Sequence, residues 1–181
     1  MPKDKQDKQG KKTKQTKQAK QKKVKLLIAG SRNLHDYKLI DKAILFAGID
    51  KDNIKEVVHG GAKGIDSLAG KWAENHGIPV KVFLADWKNL RAKECLVKTN
   101  QYGSYNAKAG FNRNVKMAEY ADESLAIWQN GATGTEHMIE TMKKYEKPYC
   151  VYELDDETEK KDIDDEKNMS SKSNVSNLPA F

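Results

Sequence analysis

Between residues 24 and 152 the apolar residues fall in short blocks, and the spacing inside them switches repeatedly between continuous and helical. Val24 to Ala29 is apolar except for Lys25 and stops at Gly30-Ser31-Arg32. That is the pattern of a strand buried on both faces with a turn at its carboxyl end. Over Asp36 to Ala47 the residues Ile40, Ala43, Ile44 and Ala47 share one helical face, and Gly48 closes the helix as a C-cap. Ile54 to His59 reads as a second buried strand. Past a glycine-rich turn, Ile65, Leu68, Ala69, Trp72 and Ala73 recur at i, i+3, i+4, i+7 and i+8, a second helix that exits at His76-Gly77-Ile78-Pro79. Val80 to Leu84 is a third strand, with Asp86-Trp87 just past its end.

Residues 88–110 show no clean period and predict a long loop, a class of segment that is usually functional or disordered. A helix over 112–121 then buries Val115, Ala118 and Ala121, and Ser124 to Trp128 forms strand four. A second glycine-rich turn, Asn130 to His137, leads into a helix burying Met138, Ile139, Met142 and Tyr145. Pro148 to Tyr152 is strand five. Strands alternating with helices predict an α/β fold, a Rossmann-like three-layer sandwich around a mostly parallel five-stranded sheet. In such sheets ligands bind at the carboxyl edge, where strand order reverses. The turns with unusual chemistry all follow strand carboxyl ends.

Charge divides the chain in three. Residues 1–23 carry ten Lys against two Asp, and 153–181 carry nine acidic residues against four Lys, so the net +7 mostly describes a tail. Neither end has apolar periodicity, and both are expected to be disordered, leaving 24–152 as the folded domain. The lysine-rich tail suits non-specific nucleic acid, although charge runs are also commonly just solvated. Cys95 and Cys150 form no C-x-x-C pair and sit near no metal-like His spacing, so neither a disulfide framework nor a metal site is expected. No apolar run approaches the ~18 residues of a membrane span and no secretory signal is evident, which points to a cytoplasmic protein.

The candidate chemistry sits in the turns. A strand that breaks into glycines and restarts as a helix offers backbone N–H groups and a positive dipole end to an anion. Gly60, Gly61 and Gly64 allow close approach, and Lys63 adds a cation. Gly30, Ser31, Arg32, Gly134 and Thr135 extend the set, with Arg113 contributing a forked guanidinium between Asn112 and Asn114. Asp66 and Glu136 lie in first helical turns, placed to act as acid, base or ribose anchor, or simply to be stabilised by the helix dipole. His59 and His137 are candidate proton shuttles, or hydrogen-bonded structural residues. Trp72 is core, whereas Trp87 and Trp128 lie at strand ends where an indole either packs or stacks a base, Trp87 being the better ligand candidate. Neither G-x-G-x-x-G nor G-x-x-x-x-G-K-[ST] occurs, which disfavours a dinucleotide dehydrogenase or a P-loop NTPase.

Taken together, Ile28 to Arg32, Val58 to Ala73, Ala85-Asp86-Trp87, Ala109 to Asn114 with Met117-Ala118 and Ala121-Asp122, and Gly134 to Ile139 resemble the SLOG superfamily, the Rossmann-like group named for DprA and the LOG phosphoribohydrolases. More narrowly they resemble its YspA/YpsA-related branch of bacterial and phage proteins. The resemblance implies a nucleotide or nucleotide-derived ligand at the carboxyl edge, and self-association into a homo-oligomer is common among relatives; no cofactor is expected. Alternatives it also implies are a phosphoribohydrolase-like cleavage of an N-glycosidic bond, with Glu136, Asp66 and Arg113 as catalytic candidates, and a DprA-like nucleic-acid-binding module. In LOG enzymes a Glu closes a Gly-Gly-x-Gly-Thr-x-x-Glu turn, whereas here Glu136 follows Thr135 directly. Residues 88–108 are longer than the branch usually has, as a lid would be.

Overall fold

The structure, a computed structural model, describes residues 22–129 and 131–154. Its main sheet contains β1 (Val24–Gly30), β2 (Ile54–His59), β3 (Val80–Val82), β6 (Glu123–Gln129) and β7 (Tyr149–Leu154), while β4 (Val97–Asn100) and β5 (Gly103–Asn106) form a separate hairpin. The helices are α1 (Lys38–Phe46), α2 (Ile65–Asn75), α3 (Ala109–Tyr120) and α4 (Thr133–Lys144). Strand order is β3-β2-β1-β6-β7, every pair parallel. The chain thus grows from β1 in one direction through β2 and β3, then crosses back to lay β6 on the other side of β1.

The alternating faces of β1 build two cores. Leu26 and Ile28 pack with Ile40, Ala43 and Ile44 of α1 and Ile65, Ala69 and Trp72 of α2. Leu27 and Ala29 pack with Met117 and Ala118 of α3 and Met138 and Met142 of α4. This is the three-layer, mostly parallel α/β arrangement that the alternating periods predict. Trp72 ties two of the helices together, its indole N–H donating to Asp41 Oδ1 at 2.7 Å.

Three helices end in the same hydrogen-bonded reversal. After α1, Gly48 N–H bonds to Leu45 O and Ile49 N–H to Ile44 O; after α2, Gly77 and Ile78 bond to Glu74 and Ala73. Both glycines have positive φ. The third, after α4, uses Glu146 at φ 52 with Lys147 N–H on Met142 O. Lys147 also caps α3, its ammonium donating to the carbonyls of Ala118, Glu119 and Ala121.

Several expectations need correction. The segment 88–110 is not a structureless loop, since it holds the β4–β5 hairpin and the first residues of α3. Its strands, Val-Lys-Thr-Asn and Gly-Ser-Tyr-Asn, are nearly all exposed, so no buried stripe betrays them. Helix α3 begins at Ala109 rather than 112, because Asn106 Oδ1 accepts Lys108 N–H and Asn112 N–H bonds back to Lys108 O, carrying Gly110 inside the first turn. Asn114 and Met117 are buried while Val115 is only half-buried, and Tyr145 is exposed with its hydroxyl on Glu119. Strand β7 extends to a buried Leu154. The expected disorder of the two tails falls almost wholly outside the described residues. No described helix is long and apolar enough to cross a membrane, and no cluster of metal-ligating residues occurs among the described residues.

Candidate functional site at the carboxyl edge

Strand order reverses between β1 and β6, and the turns leaving their carboxyl ends diverge to opposite faces of the sheet. The space between them is a cavity of about 450 Å³, within the range of small-molecule sites. Its floor is the β1 turn, Gly30 to Asn33, facing Gln129 and the N-terminal residues Thr133, Gly134 and Thr135 of α4. Ser31 is buried, its amide donating to Ile127 O and its hydroxyl accepting from Gln129 N–H at 3.1 Å, which locks the two diverging turns together.

The glycine turn after β2 contributes differently from its appearance in sequence. Gly64 has φ +74, and a Cβ there would stand 2.5 Å from Ser31 O, so only glycine lets α2 start against the β1 turn. Asp66 points back rather than outward. Its Oδ2 accepts Gly60 N–H at 3.0 Å and Ala62 N–H at 3.3 Å, closing the turn around a buried carboxylate. His59 accepts Gly61 N–H on Nδ1 at 3.0 Å, which assigns its proton to Nε2.

Arg113 reaches into this arrangement from α3. Its guanidinium lies across Gly60, in the space a Cβ would occupy, and Nη1 is 3.7 Å from Asp66 Oδ2 with both side chains almost fully buried. That separation is an ion contact and too long for a hydrogen bond. The Nε has no acceptor, and among the described residues Arg113 donates no hydrogen bond at all. Burial lowers the Arg113 pKa, Asp66 opposes that, and the like charge of Arg32 reinforces it. Burial likewise raises the Asp66 carboxyl above its usual range, against the pull of Arg113 and the two amides.

Of the candidate residues, Gly30, Ser31, Arg32, Asp66, Trp87, Arg113, Asn114, Gly134 and Thr135 line the cavity. Gly60 and Gly64 shape it from behind. Lys63 and Glu136 are exposed and lie outside its lining, as does Gly61, and Asn112 instead donates to Glu94 O at 2.8 Å, fastening α3 to the segment before β4. Asn114 is buried and donates to Gly134 O at 3.0 Å, linking α3 to the start of α4. Phe111 lines the cavity too, a role its position in sequence does not single out. Asn106, 1% exposed, was hidden in the aperiodic stretch; its Oδ1 accepts Leu96 and Lys108 N–H, its Nδ2 donates to Asn89 O, and its amide donates to Trp87 O.

Residues 24–90 match the YspA, cpYpsA-related SLOG family. Over 126 residues the chain is 29% identical to the Gene 61 protein of Mycobacterium phage D29, spanning 66% of this chain and 89% of that protein. The fold is similar to that of DNA processing protein A (DprA) from Streptococcus pneumoniae, with a TM-score of 0.51 and 15% identity over 71% of this chain. The chain spans half the length of that DprA chain.

Proposed function

We propose that the cavity between β1 and β6 binds a phosphorylated, nucleotide-derived ligand as a sensing or sequestering domain, a reading supported by the match of residues 24–90 to the YspA, cpYpsA-related SLOG family. One observation carries the reading: a nearly buried guanidinium, Arg113, lines the cavity with no hydrogen-bond acceptor among the described residues. Burying an arginine without acceptors is costly, and a phosphate supplies the planar, two-oxygen partner that a guanidinium fork fits. Asp66 does not meet the need, because its nearer oxygen is already shared between two backbone amides. Arg32 and the positive end of the α4 dipole bring further positive potential to the same space.

N-glycosidic hydrolysis is the alternative, and Asp66 would have to carry it, being the sole carboxylate among the described lining residues. Burial keeps it more readily protonated than an exposed aspartate. We favour binding, since that carboxylate is engaged in holding the glycine turn and Arg113 in place.

Isothermal titration with nucleoside monophosphates, ADP-ribose and cyclic nucleotides tests the proposal. Binding of at least one, weakened by about tenfold or more in Arg113→Gln, is expected from loss of a charge-assisted contact. Folded protein that binds nothing in the panel ends this reading. Release of free base from a bound monophosphate, abolished in Asp66→Asn, would move the assignment to the hydrolase.

A further inference from the structure

The anion reading leaves one side of the cavity unused. Trp87 and Phe111 both line it, with 42% and 40% of their surfaces exposed. Neither ring is loosely held. Phe111 stacks on the His137 imidazole, centroids 4.2 Å apart and planes within 11°. His137 is itself placed by Asn114 Nδ2 and Thr141 Oγ1, each 3.4 Å from its Nδ1, and lies outside the lining, so it backs Phe111 from behind. Trp87 packs over Gly110, where a Cβ would stand 3.6 Å from Cη2, and its carbonyl accepts the Asn106 amide at 2.8 Å. Two rings on separate elements are thus braced against one open space.

We propose that Trp87 and Phe111 form a nucleobase-stacking subsite, so that the cavity selects ligands joining a planar heteroaromatic ring to the phosphate held at Arg113. The phosphate half of this rests on the anion-binding reading above. Stacking on an aromatic face is favourable for any base, because every base presents a π-face. The Phe111 ring, already stacked on His137, loses little freedom when a base arrives, which preserves more of that gain as affinity. A phosphorylated sugar lacking a base engages only the anion side. Asn106 acts here as a positioning residue, holding the segment that carries Trp87.

The full-length chain, Trp87→Leu and Phe111→Leu are titrated with AMP, GMP, CMP, UMP and ribose 5-phosphate, with circular dichroism confirming the fold of each variant. The native chain should bind at least one nucleotide about tenfold or more tighter than ribose 5-phosphate, as base–aromatic stacking allows. Each leucine variant should lose roughly fivefold or more of nucleotide affinity while ribose 5-phosphate stays within about twofold. Equal affinity for nucleotide and ribose 5-phosphate, or variants with unchanged nucleotide affinity, overturns the subsite and leaves the anion reading standing. Binding of no compound here overturns the subsite, and silence that extends to ADP-ribose and cyclic nucleotides overturns the anion reading with it. A leucine variant that only dissociates a dimer marks the rings as a self-association surface and also overturns the proposal.

Discussion

Gly60 has no room for a side chain, because the Arg113 guanidinium lies over its α-carbon. Gly60→Ala should therefore swing the flexible Arg113 guanidinium aside, weakening nucleotide binding by about tenfold or more with little change in the urea unfolding midpoint. Full ligand affinity in that variant would separate Arg113 from the site. The histidines set an acid limit. Burial holds His59 and His137 below their ordinary 6.5, so both stay neutral in the folded chain to lower pH than in the unfolded one. Their stabilisation is complete above 6.5 and is lost as pH falls through the lower native values. Asp66 works in the opposite sense: raised above 3.8, its contribution is present below that value and lost as pH rises through the native one. Unfolding free energy should thus fall from about pH 7.5 to about pH 5, and His59→Gln with His137→Gln should flatten the slope. An unchanged slope in the double variant would assign the acid sensitivity to other groups.

At the scale of elements, the segment between β3 and α3 hangs on Asn106. Three side-chain hydrogen bonds from one buried amide join Asn89, Leu96 and Lys108, so a local opening of this segment need not disturb the sheet. Asn106→Ala should lower local stability by about 1–3 kcal/mol, seen as faster proteolysis within 88–105, with little change in the far-ultraviolet unfolding midpoint. Simultaneous loss of both would make the segment part of the global folding unit. The end of α4 offers the converse test. Glu146 sits in the left-handed region that Gly48 and Gly77 occupy at the equivalent reversals. Glu146→Gly should raise stability by roughly 0.5–1 kcal/mol through relief of that conformation, measured as a higher denaturation midpoint.

For the whole molecule, charge and site are carried by different parts of the chain. The lysines of residues 1–23 dominate the net +7, whereas the cavity is lined by Arg32 and Arg113 of the folded domain. Nucleic-acid attachment through the tail is expected to follow counterion release, its affinity falling steeply with salt. Deleting residues 1–21 should abolish salt-steep retention of single-stranded DNA in a gel shift and leave nucleotide affinity within about twofold. DNA binding that survives the deletion would instead implicate the domain.

The order of strands and helices could be read directly from the chain, because burial on one face or two imprints a period on local sequence. So could the importance of the glycine turns, since the break from strand to helix at Gly60 to Gly64 is itself local. Tertiary structure alone decided which turns meet. Gly60 and Arg113 are separated by most of a crossover, and their contact exists only because β6 returns beside β1 instead of beside β3. The same crossing, with the rotation of each helix about its axis, brings Asn114 against Gly134 and leaves Glu136 outside the cavity. Asn106 and the hairpin were invisible for a related reason: short polar strands exposed to solvent carry no apolar period, and a buried amide announces itself only through the partners that surround it.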